Sequence, residues 1–159
     1  MTYPFEKIHH IRIAVDDINE KVKNFESIGI GPWKEYPPLL EYTEIDIPDY
    51  EGFRALRFVQ TNVGDVEIQL VEPSPDHDTP QKRFLEEHGE GVYHIGFVVD
   101  DVNEGEKVLK KKGVKTTSCG RRLDQIGFKY LDTKDGAGVV LLIRKSASVQ
   151  SSGGNEPAD

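Results

Sequence analysis

The chain has 159 residues, enough for one compact domain or two small halves that share a core. Its net charge of −8 argues against nucleic acid or an anionic membrane as a partner, and no apolar run is long enough to span a bilayer. The single cysteine, Cys119, rules out an intramolecular disulfide and the usual zinc–cysteine frameworks. With no signal peptide in view, the expected location is the cytoplasm.

In chain order, Ile11, Ile13 and Val15 alternate with His10, Arg12 and Ala14, the pattern of a strand with two distinct faces. Asp17 stands where a helix N-cap belongs, Ile18, Val22 and Phe25 supply an apolar stripe, and Gly29 ends the helix. A short strand is predicted near Trp33–Tyr36, followed by a Pro37–Pro48 loop. Strands then cover Phe53–Gln60 and Val66–Val71, with a turn around Asn62–Gly64. Pro73–Pro80 reads as a linker, and Thr79 through His88 as a short helix with Phe84 and Leu85 inward. A second strand, with Ile95, Phe97 and Val99 on one face and His94, Gly96 and Val98 on the other, leads to an Asp101-capped helix ending at Gly113. Strands at Val114–Ser118, Ile126–Leu131 and Gly138–Arg144 follow, with a turn at Asp135–Gly136. The polar tail from Ser146 reads as disordered.

The order is a repeat. HIRIAVDDINEKVKNFESIGI from His10 and HIGFVVDDVNEGEKVLKKKGV from His94 align without a gap at an offset of 84 residues, with 9 identities in 21 positions. A duplication explains this match. The predicted fold is α+β: paired βαβββ modules, residues 1–72 and 91–145, joined by a linker with a short helix over 73–90. Together they make one domain whose mixed sheet curves into a cup with its helices outside.

This layout resembles the vicinal oxygen chelate superfamily, which includes glyoxalase I, extradiol dioxygenases, fosfomycin and bleomycin resistance proteins and methylmalonyl-CoA epimerase. The run DTPQKRFLEEHGEGVYHIGFVVDDV, residues 78–102, is most similar to the epimerase-like and lactoylglutathione-lyase-like members, whereas Gly31–Trp33 is unlike the epimerase branch. The resemblance implies a homodimer and a divalent metal (Zn, Co, Ni, Mn or Fe) held by His10, Gln69, His94 and the residue at position 142. That residue is Leu142, which has no donor, so the resemblance leaves the metal with three ligands or with none. Strand alternation independently places His10, Gln69 and His94 away from their large apolar neighbours.

The usual glutamate is therefore missing, and Glu67, two residues before Gln69 on the same face, becomes the candidate catalytic carboxylate. Glu44, Asp46 and Asp124 come from loops able to fold over the mouth. Arg12 and Arg57 are the candidate substrate-binding cations, with Tyr130 and Phe128 as pocket walls. Arg54, Arg121 and Arg122 read as surface pairs, His9 and Tyr93 as packing or surface, and His77 and His88 as exposed. The leading function implied is an isomerase or lyase that shifts a proton alpha to a carbonyl or thioester, with an acyl-CoA as partner. The alternative is a metal-free protein that binds or sequesters a small anion in the same cup. The third is an extradiol-type dioxygenase.

Overall fold

Alternation and register build the sheet. The computed structural model describes residues 4–36, 42–123 and 126–145. The expected tail and Asp124 lie outside them. The first module contains β1 (Lys7–Ala14), α1 (Ile18–Ser27), β2 (Lys34–Glu35), β3 (Glu44–Asp46), α2 (Tyr50–Arg54), β4 (Arg57–Val63) and β5 (Val66–Glu72). After α3 (Pro80–His88), the second contains β6 (Gly91–Val98), α4 (Val102–Lys110), β7 (Thr116–Arg121), β8 (Gly127–Leu131), α5 (Lys134–Ala137) and β9 (Val140–Lys145). The nine strands form one mixed sheet in the order β2-β4-β5-β1-β6-β9-β8-β7-β3. β1 runs parallel to β5 and β6 parallel to β9, while β1 and β6 meet antiparallel along the central seam. This is the expected α+β arrangement of paired modules.

The helix caps follow the sequence. The Asp17 carboxylate accepts from the Glu20 amide at 3.1 Å, and Asp101 accepts from the amides of Asn103 and Glu104 at 2.8 and 3.0 Å. Gly29 and Gly113 adopt φ of 94° and 82°, a region open to glycine at little cost. α1 packs Ile18, Val22 and Phe25 against Val59 and Leu70, and α4 packs Leu109 near Leu131 and Ile143, so each helix covers one outer face. A third cluster, containing Phe53, Phe58, Tyr93, Phe128, Tyr130 and Leu142, fills the concave side.

Three expectations need correction. Phe53 and Arg54 belong to α2, because the Asp49 carboxylate accepts the Gly52 amide at 2.8 Å and starts a helix there. The strand expected from Phe53 therefore begins at Arg57. Residues 44–46, expected as loop, form β3 and pair with β7 on the far edge of the second module, Ile45 opposite Gly120. The turn at Asp135–Gly136 is the short helix α5.

Candidate active site in the cup

The concave face is set by pairing. His10 lies opposite Glu67 on one side and Gly96 on the other, and Arg12 lies opposite Gln69 and His94. Leu142 pairs with both Gly96 and Tyr130, and Arg144 with Phe128, so β9 and β8 extend the same face. Paired residues point the same way, which gathers side chains from five strands.

Two irregularities shape the centre. The β1–β6 register shifts between Ile8 and His10, and again between Arg12 and Ile13, leaving His9 and Tyr93 as the extra residues. Such bulges re-aim side chains. His9, expected on the far side, here meets His10 with their Nδ1 atoms 2.8 Å apart, and Tyr93 joins the concave cluster. His10 Nε2 in turn lies 2.7 Å from His94 Nε2. Gly96 makes this possible, because a Cβ there would collide with the His10 ring.

All three imidazoles are held neutral at neutral pH. Burial comes first for each: it puts His10 and His94 well below the usual 6.5 and His9 at about 4. Neighbouring titratable groups add to it, His94, Arg12 and Arg144 acting on His10, Arg12 and Arg144 on His94, and Arg144 and Lys7 on His9. His94 Nδ1 has no partner among the described residues.

Arg12 is the central cation. It is 7% exposed, donates from Nε and Nη2 to Gln69 Oε1 at 2.8 and 2.6 Å, and from Nη1 to the Tyr130 hydroxyl at 3.2 Å. Its guanidinium carbon sits 4.4 Å above the centre of the Phe58 ring. Gln69 Nε2 donates to the Glu67 carboxylate, which turns Oε1 toward Arg12. No carboxylate pairs directly with Arg12 among the described residues.

These side chains enclose a cavity of about 40 Å³ lined by His10, Arg12, Leu142, Arg144 and the rings of Tyr36, Tyr42, Phe53, Phe58, Phe128 and Tyr130. Phe53 and Tyr130 also wall a groove of about 510 Å³ that runs past Thr79, Gln81, Arg83, Tyr93, Ser118 and Lys134.

The structure thus brings together His10, Gln69, His94, Arg12 and Tyr130. Glu67 shares their face, but its carboxylate is held by Gln69 and does not line the cavity. Arg57 is placed elsewhere: its side chain is exposed and reaches Glu72 at 3.5 Å and Glu35 at 3.9 Å. Alternation counted from Ala55 misplaced it, because Ala55 caps α2 and the strand phase starts two residues later. Glu44 pairs with Arg121 on the β3–β7 edge at 3.4 Å. The residue that sequence reasoning missed is Arg144, whose signal was available, since it lies two positions beyond Leu142 on one strand face.

A divalent metal would need these donors to converge on one point. Two imidazole nitrogens bound to one ion at about 2.0–2.1 Å stand roughly 3 Å or more apart, whereas those of His10 and His94 face each other as hydrogen-bond partners at 2.7 Å. Gln69 Oε1 already accepts two N–H groups from a fixed cation, and Leu142 offers nothing. A guanidinium beside the set also repels a dication. Among the described residues, no group of three or more His, Cys, Asp or Glu side chains is gathered for a metal. The set does not fit a divalent ion.

Paired βαβββ modules with a polar, aromatic-walled concave face define a class of cup proteins built by duplication. The sequence profile described as Glyoxalase/Bleomycin resistance protein/Dioxygenase superfamily matches residues 9–131, and the chain belongs to that family. The mitochondrial methylmalonyl-CoA epimerase of Homo sapiens is 25% identical over 143 residues, covering 88% of this chain and 74% of that protein. The methylmalonyl-CoA epimerase structure from Mycobacterium tuberculosis shares the fold with a TM-score of 0.68 at 21% identity, over 92% of each chain. A solved methylmalonyl-CoA epimerase in complex with methylmalonyl-CoA and NH4+ gives a TM-score of 0.64 at 26% identity, over 90% of this chain and 96% of that one.

Proposed function

We propose that the cup takes a small acyl anion, a carboxylic acid or its thioester, selected by the charges of Arg12 and Arg144. The observation that carries this reading is the cavity wall, where two arginines and a neutral imidazole stand among aromatic rings, with no carboxylate among the described residues that line it. A buried cation without an anionic partner is costly, and a bound anion supplies that partner. At about 40 Å³ the cavity exceeds the ~10–15 Å³ that a single water requires, so it admits a carboxyl or carbonyl group. The rest of the ligand extends past Phe53 and Tyr130 into the larger groove. Likeness to the epimerases, one of them solved with methylmalonyl-CoA, puts acyl-CoA thioesters first among the candidates.

A second reading, favoured by Glu67 on the same face, is an epimerase-type proton shift next to the carbonyl. Arg12 would hold the oxygen that gains charge as the α-proton leaves, and Glu67, once released from Gln69, would take and return that proton. The test is calorimetric titration of methylmalonyl-CoA and of free methylmalonate, in EDTA, with α-deuteration in D2O followed in parallel. We expect binding that weakens at least ~10-fold in Arg12→Gln, the scale of one charge-assisted hydrogen bond. Exchange that stops in Glu67→Gln would support the second reading, and binding without exchange would leave only the first. No binding of either acyl compound would end both.

A further inference from the structure

We propose that Arg12 replaces the divalent cation of this cup: its guanidinium, fixed by Gln69 and Tyr130, is the positive charge offered to the ligand, and no metal enters. A guanidinium carries five N–H donors. Three are engaged by Gln69 Oε1 and the Tyr130 hydroxyl, and the other two have no partner among the described residues. Arg144 Nε, buried and lining the same cavity, is unpartnered as well. Both arginines line the same small cavity.

Every neighbour agrees with this substitution. Glu67 turns the Gln69 amide so that its oxygen serves Arg12. Phe58 presents its ring face to the cation at 4.4 Å. Leu142, lining the same cavity, matters most, because a carboxylate there would neutralise Arg12 internally, whereas leucine leaves the charge for a ligand. An arginine also differs from a metal in what it recognises: it donates hydrogen bonds in one plane and suits a carboxylate or an enolate oxygen. The ligand class rests on the reading given above, but the exclusion of metal does not.

The probe is Co2+ alone, added to the full chain after EDTA treatment and followed by its d–d absorption and by thermal denaturation. Wild type should show no cobalt band and no change in Tm. Leu142→Glu should stay blank too, its new carboxylate pairing with Arg12. The double variant Arg12→Ala, Leu142→Glu should gain about one equivalent of cobalt, reversed by EDTA, because removing the cation and adding the anionic ligand restores a four-donor set. Stoichiometric cobalt in the wild type, reversed by EDTA, overturns the proposal, and that arm needs no variant to fold. Cobalt bound by Leu142→Glu alone also overturns it, since the missing glutamate would then be the whole cause. A folded double variant that binds none does the same, because Arg12 would not be what excludes the ion. No acyl compound enters these measurements, so they fail or succeed separately from the functional reading.

Discussion

His10 reaches His94 across β6 because residue 96 has no side chain. The Gly96→Ala substitution forces the imidazole out of its position, since the added carbon overlaps the ring. We expect it to lower stability by about 1–3 kcal/mol, the usual cost of overpacking a filled core, and to abolish binding of acyl anions in the cup. Thermal denaturation checks the first effect, with Gly136→Ala as the comparison: a carbon at Gly136 meets nothing within 4 Å, and alanine there is neutral or mildly stabilising. Equal stability of the two variants would contradict the close approach. The same scale shows what a sequence can tell. Alternation turns His10, Arg12, Gln69 and His94 away from their large apolar neighbours, and the repeat with the family resemblance gathers them in one cup. The bond between Arg12 and Gln69 was not legible, because it depends on which residues the register sets opposite each other.

Among the elements, the helices were the most legible, since an aspartate cap, an apolar stripe and a closing glycine are signals within a dozen residues. α2 was harder: Phe53–Gln60 carries no periodicity long enough to separate helix from strand, and the Asp49 cap decides it. β3 could not be read at all. It has three residues and only Ile45 among them is apolar, and what makes it a strand is β7, far along the chain. This element ties the first module to the far edge of the second. Thr43 and Glu44 reinforce it, the Thr43 amide donating to the Arg121 carbonyl at 2.9 Å and Glu44 pairing with Arg121. Thr43→Pro removes the amide that donates to the Arg121 carbonyl, on the order of 1–3 kcal/mol in all. Hydrogen exchange should then speed up at residues 119–121 while β1 and β5 keep their protection. Unchanged exchange at 119–121 would mean the β3–β7 pairing contributes little.

For the whole molecule, the buried imidazoles set the response to acid. Free histidine side chains bind a proton near pH 6.5, whereas folded His10 and His94 resist it far below that value. Between those limits the unfolded chain holds more protons than the folded one, so stability falls as pH drops below 6.5 and is flat above. Each buried imidazole adds a slope of up to about 1.4 kcal/mol per pH unit. The carboxylates held low, Glu106 at about 2 through its bonds to Lys129 and Thr116 and Asp101 through its capping bonds, lose their contribution only in more acid solution. Denaturant titrations between pH 7 and 5 isolate the histidines, and His94→Gln should remove about one proton from the slope. A stability constant over that range would contradict the burial of both rings.

The strap formed by β3 also bears on how the chain is made. Ile45 and its partner Gly120 are 75 residues apart. At about 5–20 residues per second, a ribosome delivers the second roughly 4–15 s after the first. For that interval residues 44–46 of the emerging module have no mate. The segment's brevity and its two acids, Glu44 and Asp46, make it a poor template for stray pairing with a neighbouring nascent chain. The far edge of the sheet is then completed late in synthesis, by a segment made early and held in waiting.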